Sequence, residues 1–202
     1  KNPLTPIQLA AERMQMKLEG HLPQKEADLL NRGTATIVNQ VDAMKRMVDD
    51  FRDYAKAPPA VLQRLDLNRL IGDILDLYLA GDESDIIHAQ LAPNLPAVMG
   101  DATQLRQVIH NLLQNAQDAM GERPAGAPPP RIDLTTEAIY YQNAEGGQGT
   151  AVRLAIVDNG PGFAPRILSR AFEPYVTSKA RGTGLGLPMV KKIVDEHGGR
   201  ID

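Results

Sequence analysis

The sequence predicts an α+β protein in which an antiparallel helical hairpin precedes a two-layer α/β sandwich. Three observations carry this reading. Residues 1–56 hold apolar side chains at alternating steps of three and four, the seam of a coiled coil or helical bundle. Pro58-Pro59 then ends that pattern, and helix-like and strand-like segments alternate downstream. Late in the chain, glycines at alternate positions in Gly182-Thr183-Gly184-Leu185-Gly186-Leu187 run directly into a helix-patterned segment.

Composition narrows the function classes. The chain has 202 residues, enough for one large domain or two small ones. A formal net charge of -3 argues against a general nucleic-acid binder, which would carry a basic face. There are no cysteines, so disulfides and thiolate metal sites are excluded and the chain suits a reducing compartment. No apolar run approaches the ~20 residues of a membrane helix, and no signal peptide opens the chain. Lys1-Asn2-Pro3 reads as if cut from something longer, so any membrane attachment is expected through segments upstream.

Taken in order, residues 1–19 read as a helix with Leu4, Ile7, Ala11, Met14 and Leu18 on its seam, and Gly20 to Pro23 as a turn. A second helix, Lys25 to Lys56, continues the seam through Leu30, Thr34, Ile37, Val41, Met44, Val48, Phe51 and Ala55. The pair cannot bury its seam alone and is expected to form a four-helix bundle as a homodimer. The domains are therefore set at 1–57 for the hairpin, 58–66 for a linker and 67–202 for the sandwich. Within the sandwich, Asn68 to Leu79 reads as an amphipathic helix and Ile86 to Leu91 as a short strand. Asp101 reads as the N-cap of a long helix reaching Met120. Gly121 to Pro130 is a loop. Arg131–Tyr141 and Thr150–Asp158 are strands joined by a glycine-rich turn, in an antiparallel-capable sheet. Leu187 to His197 is the last helix, with Pro188 in its first turn and Gly198-Gly199 as its stop.

Three groups of residues carry candidate chemistry. Glycines 182, 184 and 186 let backbone N–H groups close on a phosphate at a helix N-terminus, although a tight turn alone would use the same residues. Asn111 and Asn115, at i and i+4, share one helix face, with Gln107 a turn earlier. A neutral amide offers oxygen to Mg²⁺ beside polyphosphate without adding negative charge, or else simply ties down a neighbouring loop. Asp158 ends the apolar strand Leu154-Ala155-Ile156-Val157 and is followed by Asn159-Gly160-Pro161-Gly162. A carboxylate there suits an amino group on a planar base, and equally suits the start of a turn. The chain contains neither a P-loop nor a Rossmann turn.

Together these motifs resemble the ATP-binding domain of sensor histidine kinases, in the Bergerat (GHKL) superfamily shared with type II topoisomerases, Hsp90 chaperones and mismatch-repair ATPases. Asn111-Leu112-Leu113-Gln114-Asn115-Ala116 is similar to the N box and Asp158-Asn159-Gly160-Pro161-Gly162-Phe163 to the first glycine box. Phe172-Glu173-Pro174-Tyr175 is similar to the F box and Gly182 to Leu187 to the second glycine box. Lys1-Asn2-Pro3-Leu4-Thr5-Pro6 resembles the tail of the H box, and Leu4 to Ala10 resembles nitrogen-regulation kinases of the NtrY type.

The resemblance implies roles. Asn115 would ligate Mg²⁺ with Asn111 in support, and Asp158 would bond the adenine of ATP, with Gly160 and Gly162 giving the base room. Val176 to Arg181 would form a short mobile lid, with Thr177 and Lys179 meeting the triphosphate. Gly182, Thr183, Gly184, Leu185 and Gly186 would hold phosphates. The phosphate-accepting His would lie three residues before Lys1, leaving this chain unable to phosphorylate itself, with His21 a minor alternative. Asn2 would position water for dephosphorylation of a response regulator receiver domain of the NtrX type. The implied location is the cytoplasmic part of an inner-membrane-anchored bacterial sensor, truncated at both ends. Two other readings are an ATP-driven clamp, which needs a water-activating Glu that the N-box helix lacks before Glu122, and a non-catalytic dimerisation module.

Overall fold

The computed structural model describes residues 3–56, 58–79, 86–121, 126–142, 147–179 and 182–202. Two compact units are present: Lys1–Ala57 with Thr177–Leu185, and Pro58–Val176 with Gly186–Asp202.

In the first unit, α1 (Leu4–Leu18) and α2 (Gln24–Lys56) pack together, and Gly20 takes a left-handed φ of 80° in the turn between them. Their partners fix an antiparallel arrangement. Gln15 Nε2 donates to Asn31 Oδ1 at 3.1 Å, the Thr34 hydroxyl donates to Gln15 Oε1 at 3.3 Å, and Lys45 Nζ donates to Gln8 Oε1. Of the expected seam, Ala11, Thr34 and Val41 are buried, while Ile7, Met14, Ile37, Met44, Val48 and Phe51 remain exposed. Two helices have only one shared stripe to bury, so a seam wider than that stripe stays open within a hairpin.

The second unit carries the sandwich. Its helices are α3 (Leu67–Leu79), α4 (Ala102–Gly121), α5 (Pro165–Leu168) and α6 (Gly186–Glu196). Its strands are β1 (Gln63–Leu65), β2 (Ile87–Leu91), β3 (Val98–Gly100), β4 (Ile132–Gln142) and β5 (Gln148–Asp158). The main sheet has the order β2-β4-β5, and β1 pairs antiparallel with β3. The sheet read as antiparallel-capable is mixed: β4 and β5 are antiparallel, whereas β2 runs parallel to β4 from Ile87 opposite Ile132. Alternation of side chains reports a strand's faces but not its direction, which the long α4 crossover sets here. Gly149, read as part of the turn, lies in β5 opposite Tyr141, where an added Cβ would sit 2.5 Å from the ring.

Between sheet and helices lies the core, formed by Leu70, Ile71, Ile74 and Leu75 of α3, Ile109, Leu113 and Ala116 of α4, and Ile132 and Leu134 of β4. Leu113 and Ile132 are fully buried, so truncating either to Ala would cost about 2–5 kcal/mol. A polar cluster lies at the edge of this core. The buried Thr136 hydroxyl donates to Asn68 Oδ1 at 2.9 Å and accepts from the Ala92 N–H at 3.0 Å, while Asn68 Nδ2 donates to the Ala92 carbonyl at 2.8 Å. The closed triangle ties α3 and β4 to the end of β2 with every member satisfied.

Residues 58–66, expected as a linker, are a structured part of the second unit. The Pro58 carbonyl accepts from Gln104 Nε2 at 2.9 Å, the Val61 N–H donates to Asp101 Oδ2 at 3.0 Å, and 63–65 form β1. Asp101 caps α4 as its spacing implies: Oδ1 accepts from the N–H groups of Thr103 and Gln104 at 2.9 and 3.1 Å. These backbone donors, Val61 foremost, hold its carboxyl below the ordinary value. The Asp101 N–H donates in turn to His197 Nε2 at 2.9 Å, and His197 Nδ1 lies 2.7 Å from the Ile193 carbonyl. The imidazole therefore carries its proton on Nδ1 and joins the end of α6 to the start of α4.

Candidate nucleotide site

α4 supplies the floor of the site in the second unit. Its apolar face (Val108, Ile109, Leu113, Ala116) is buried, which turns the row Asn111, Asn115, Ala119 the other way. Asn111 and Asn115 are half-buried. An ideal Cβ on Gly186, the first residue of α6, would lie 3.8 Å from Asn115 Nδ2, so the second asparagine sits against the start of that helix. The N–H groups of its first turn lack intrahelical partners and attract anions.

One turn further along α4, Ala119 meets the other half of the site. A Cβ on Gly160 would fall 2.9 Å from Ala119 Cβ and 2.8 Å from Asp158 Oδ1, distances that real side chains essentially never show. Gly160 is thus required by close approach, whereas Gly162 is required by its φ of 69°. Asp158 is exposed at the end of β5, with Oδ1 accepting from the Gly160 N–H at 2.9 Å and Oδ2 available as a second acceptor. Asn159, given no role from the sequence, fixes this turn to β4: its Oδ1 accepts from the Arg131 N–H and its Nδ2 donates to the Pro129 carbonyl, each at 2.9 Å. Tyr175, in the F-box-like stretch, adopts a left-handed φ of 65°, a rare and strained conformation for a bulky side chain.

The remaining expected phosphate ligands belong to the first unit. There the Thr177 hydroxyl oxygen accepts from the Lys179 N–H at 3.1 Å and the Gly182 N–H donates to the Lys179 carbonyl at 3.1 Å. A Cβ on Gly182 would sit 2.5 Å from Thr177 Oγ1, so a side chain there would have to displace the Thr177 hydroxyl. Gly184 has φ 68°, Leu185 is buried, and the Thr183 hydroxyl donates to Asp50 Oδ2 on α2 at 2.7 Å. Asn2, Ala180 and Arg181 lie outside the described residues. His21 lies in the interhelical turn, its Nδ1 donating to the Glu19 carbonyl at 3.2 Å.

Among the described residues no cluster of three or more His, Cys, Asp or Glu could hold a metal. An amide oxygen with phosphate and water oxygens is a different donor set, and it suits Mg²⁺, which keeps several waters and uses few protein ligands. Asn115 at the head of an anion-attracting helix fits that chemistry.

A mixed sheet backed by α3 and α4, with a glycine-lined turn beside a strand-end carboxylate and an amide facing a helix start, defines an α+β sandwich with a candidate site along one helix. The chain belongs to the histidine kinase-, DNA gyrase B- and HSP90-like ATPase family, whose profile matches residues 100–202. It is 36% identical over 202 residues to the nitrogen regulation protein NtrY of Azorhizobium caulinodans, covering 100% of this chain and 25% of that protein. The chain therefore spans about a quarter of that relative's length. The fold is also similar to full-length ShkA in complex with AMPPNP, with TM-score 0.59, 24% identity, and 96% of this chain against 39% of that one. Similarity extends to the histidine kinase ThkA in complex with the response regulator TrrA, with TM-score 0.65, 24% identity, and 94% against 51%.

Proposed function

We propose that this chain is the catalytic core of a two-component sensor histidine kinase, binding ATP with Mg²⁺ and passing the γ-phosphoryl group to a histidine on the helical hairpin. The observation that carries this is the spacing along α4: Asn115 faces the start of α6, and Ala119, one turn on, faces the Asp158–Gly160 turn. A single helix row thus serves a phosphate end and a base end, the two ends of a nucleotide.

In this reading Asp158 accepts a hydrogen bond from the adenine amino group, and Gly160 and Gly162 keep the turn slim enough for the base. Asn115, supported by Asn111, offers its amide oxygen to Mg²⁺. Bound Mg²⁺ supplies charge neutralisation on the triphosphate, which together with positioning is most of what phosphoryl transfer needs. Thr177 and Lys179 meet the phosphates, and backbone N–H groups from Gly182, Thr183, Gly184, Leu185 and Gly186 receive them.

On this reading the acceptor histidine would stand three residues ahead of Lys1, and Asn2, four beyond it, would orient water for removal of phosphate from the regulator's aspartate. A receiver domain of the NtrX type is the proposed partner. The exposed seam of Ile7, Met14, Ile37, Met44, Val48 and Phe51 supports a homodimer closing into a four-helix bundle. In a chain extended upstream, γ-labelled ATP should leave acid-labile, base-stable label on the protein, as a phosphoramidate does. Label released only as inorganic phosphate would instead assign a clamp-type ATPase.

A further inference from the structure

Asp50 and Thr183 lie 133 residues apart in the chain, yet the Thr183 hydroxyl donates to Asp50 Oδ2 at 2.7 Å. Both side chains are half-buried and both residues fall in the first unit. A hydroxyl bonded to a carboxylate is a charge-assisted contact, shorter and stronger than one between neutral groups. It is also oddly placed. Thr183 sits between Gly182, whose close neighbour is the Thr177 hydroxyl, and Gly184, with its left-handed φ, in the turn read above as receiving phosphate. A fixed negative charge within hydrogen-bond reach of such a turn disfavours a triphosphate and occupies a hydroxyl that phosphate oxygens would otherwise use. Partial burial keeps that repulsion from being screened away by salt.

We propose that the Asp50 carboxylate competes with the nucleotide's phosphates for the Thr183 hydroxyl, so that α2 holds the phosphate turn until polyphosphate displaces it. By linkage, loading the turn frees Asp50, and whatever tightens the grip of Asp50 on Thr183 weakens ATP binding in turn. This rests on the assignment of 182–186 to phosphate binding. It adds that α2 opposes the binding.

The test is calorimetric titration of the 202-residue chain with ATP·Mg²⁺ and, separately, with adenosine. Asp50→Ala should tighten ATP about three- to tenfold and leave adenosine affinity unchanged, since only the phosphates meet the carboxylate. Asp50→Asn, which keeps the shape and loses the charge, should shift ATP in the same direction. In a Thr183→Val background the gain from Asp50→Ala should shrink, because the partner it competes for is gone. Wild-type ATP binding with no change in Asp50→Ala would overturn the competition and leave the nucleotide assignment standing. Equal gains for adenosine and ATP would also overturn it, by tracing the effect to general packing. Absence of any ATP binding by the wild type would remove both.

Discussion

The amide nitrogen of Asn115 lies 3.8 Å from where a β-carbon would stand on Gly186, which places the middle of α4 against the first residue of α6. That distance is ordinary van der Waals contact, so Gly186→Ala should fold normally. Asn115→Ala should also fold, yet lose the Mg²⁺-dependent part of ATP affinity while keeping affinity for the base. Titrations with and without Mg²⁺ check this. Equal losses in both would assign Asn115 to the base or to the fold.

At Gly160 the geometry allows no such tolerance. A methyl group there would press on Ala119 Cβ, which cannot rotate away, so Gly160→Ala should cost about 1–3 kcal/mol and displace the Asp158 turn. Urea denaturation reads the first effect and loss of ATP binding the second. A Gly160→Ala protein with wild-type stability would contradict the close approach.

Asp101 predicts a pH dependence of stability. Its folded-state carboxyl is depressed, chiefly by the Val61 and Gln104 N–H groups, so its contribution is present above the unfolded value near ~3.9 and is lost as pH falls through the folded value. At neutral pH, Asp101→Ala should lower stability by about 0.5–2 kcal/mol, the usual cost of an N-cap. Urea midpoints for the two proteins should converge as pH falls below 4, roughly where the free carboxyl titrates. A constant gap down to acid would mean the carboxylate does not stabilise by ionised capping.

The open seam of the hairpin makes a prediction about assembly. Met44→Glu with Phe51→Glu places two charges on exposed apolar positions, so hairpin packing should survive. Dimer dissociation, read by analytical ultracentrifugation, should rise at least tenfold, since each buried charge costs more than about 1.4 kcal/mol. An unchanged dimer would place its interface elsewhere.

Much of this was legible in residue order because it rests on short-range rules. Asp101 as a cap, the helix stop at Gly198-Gly199 and the long helix carrying Asn111 and Asn115 follow from periodicity and end signals within a few residues. The strands β1 and β3 did not show, since three residues are too few to display a period. Nor did the parallel entry of β2, because direction depends on where the crossover returns. Thr136 reads as one more β-branched strand residue, and only the fold brings it to Asn68 and Ala92. In the site, the glycine boxes were visible as patterns, but the reasons differ by position: steric closeness at Gly160 and Gly182, positive φ at Gly162 and Gly184. Asn159 gives no local signal, because its partners, Pro129 and Arg131, stand about thirty residues upstream. The Asp50–Thr183 bond joins residues that no local pattern relates.

Recognition of adenine by Asp158 is tested most directly by the affinity of this chain for ATP·Mg²⁺ and GTP·Mg²⁺, in wild type and Asp158→Ala. A site built to accept from an amino group rejects a base that presents a carbonyl in its place. The wild type should bind ATP at least tenfold more tightly than GTP, and Asp158→Ala should bring the two affinities together by weakening ATP. Equal binding of both nucleotides by the wild type, or an undiminished preference for ATP in Asp158→Ala, would contradict the account.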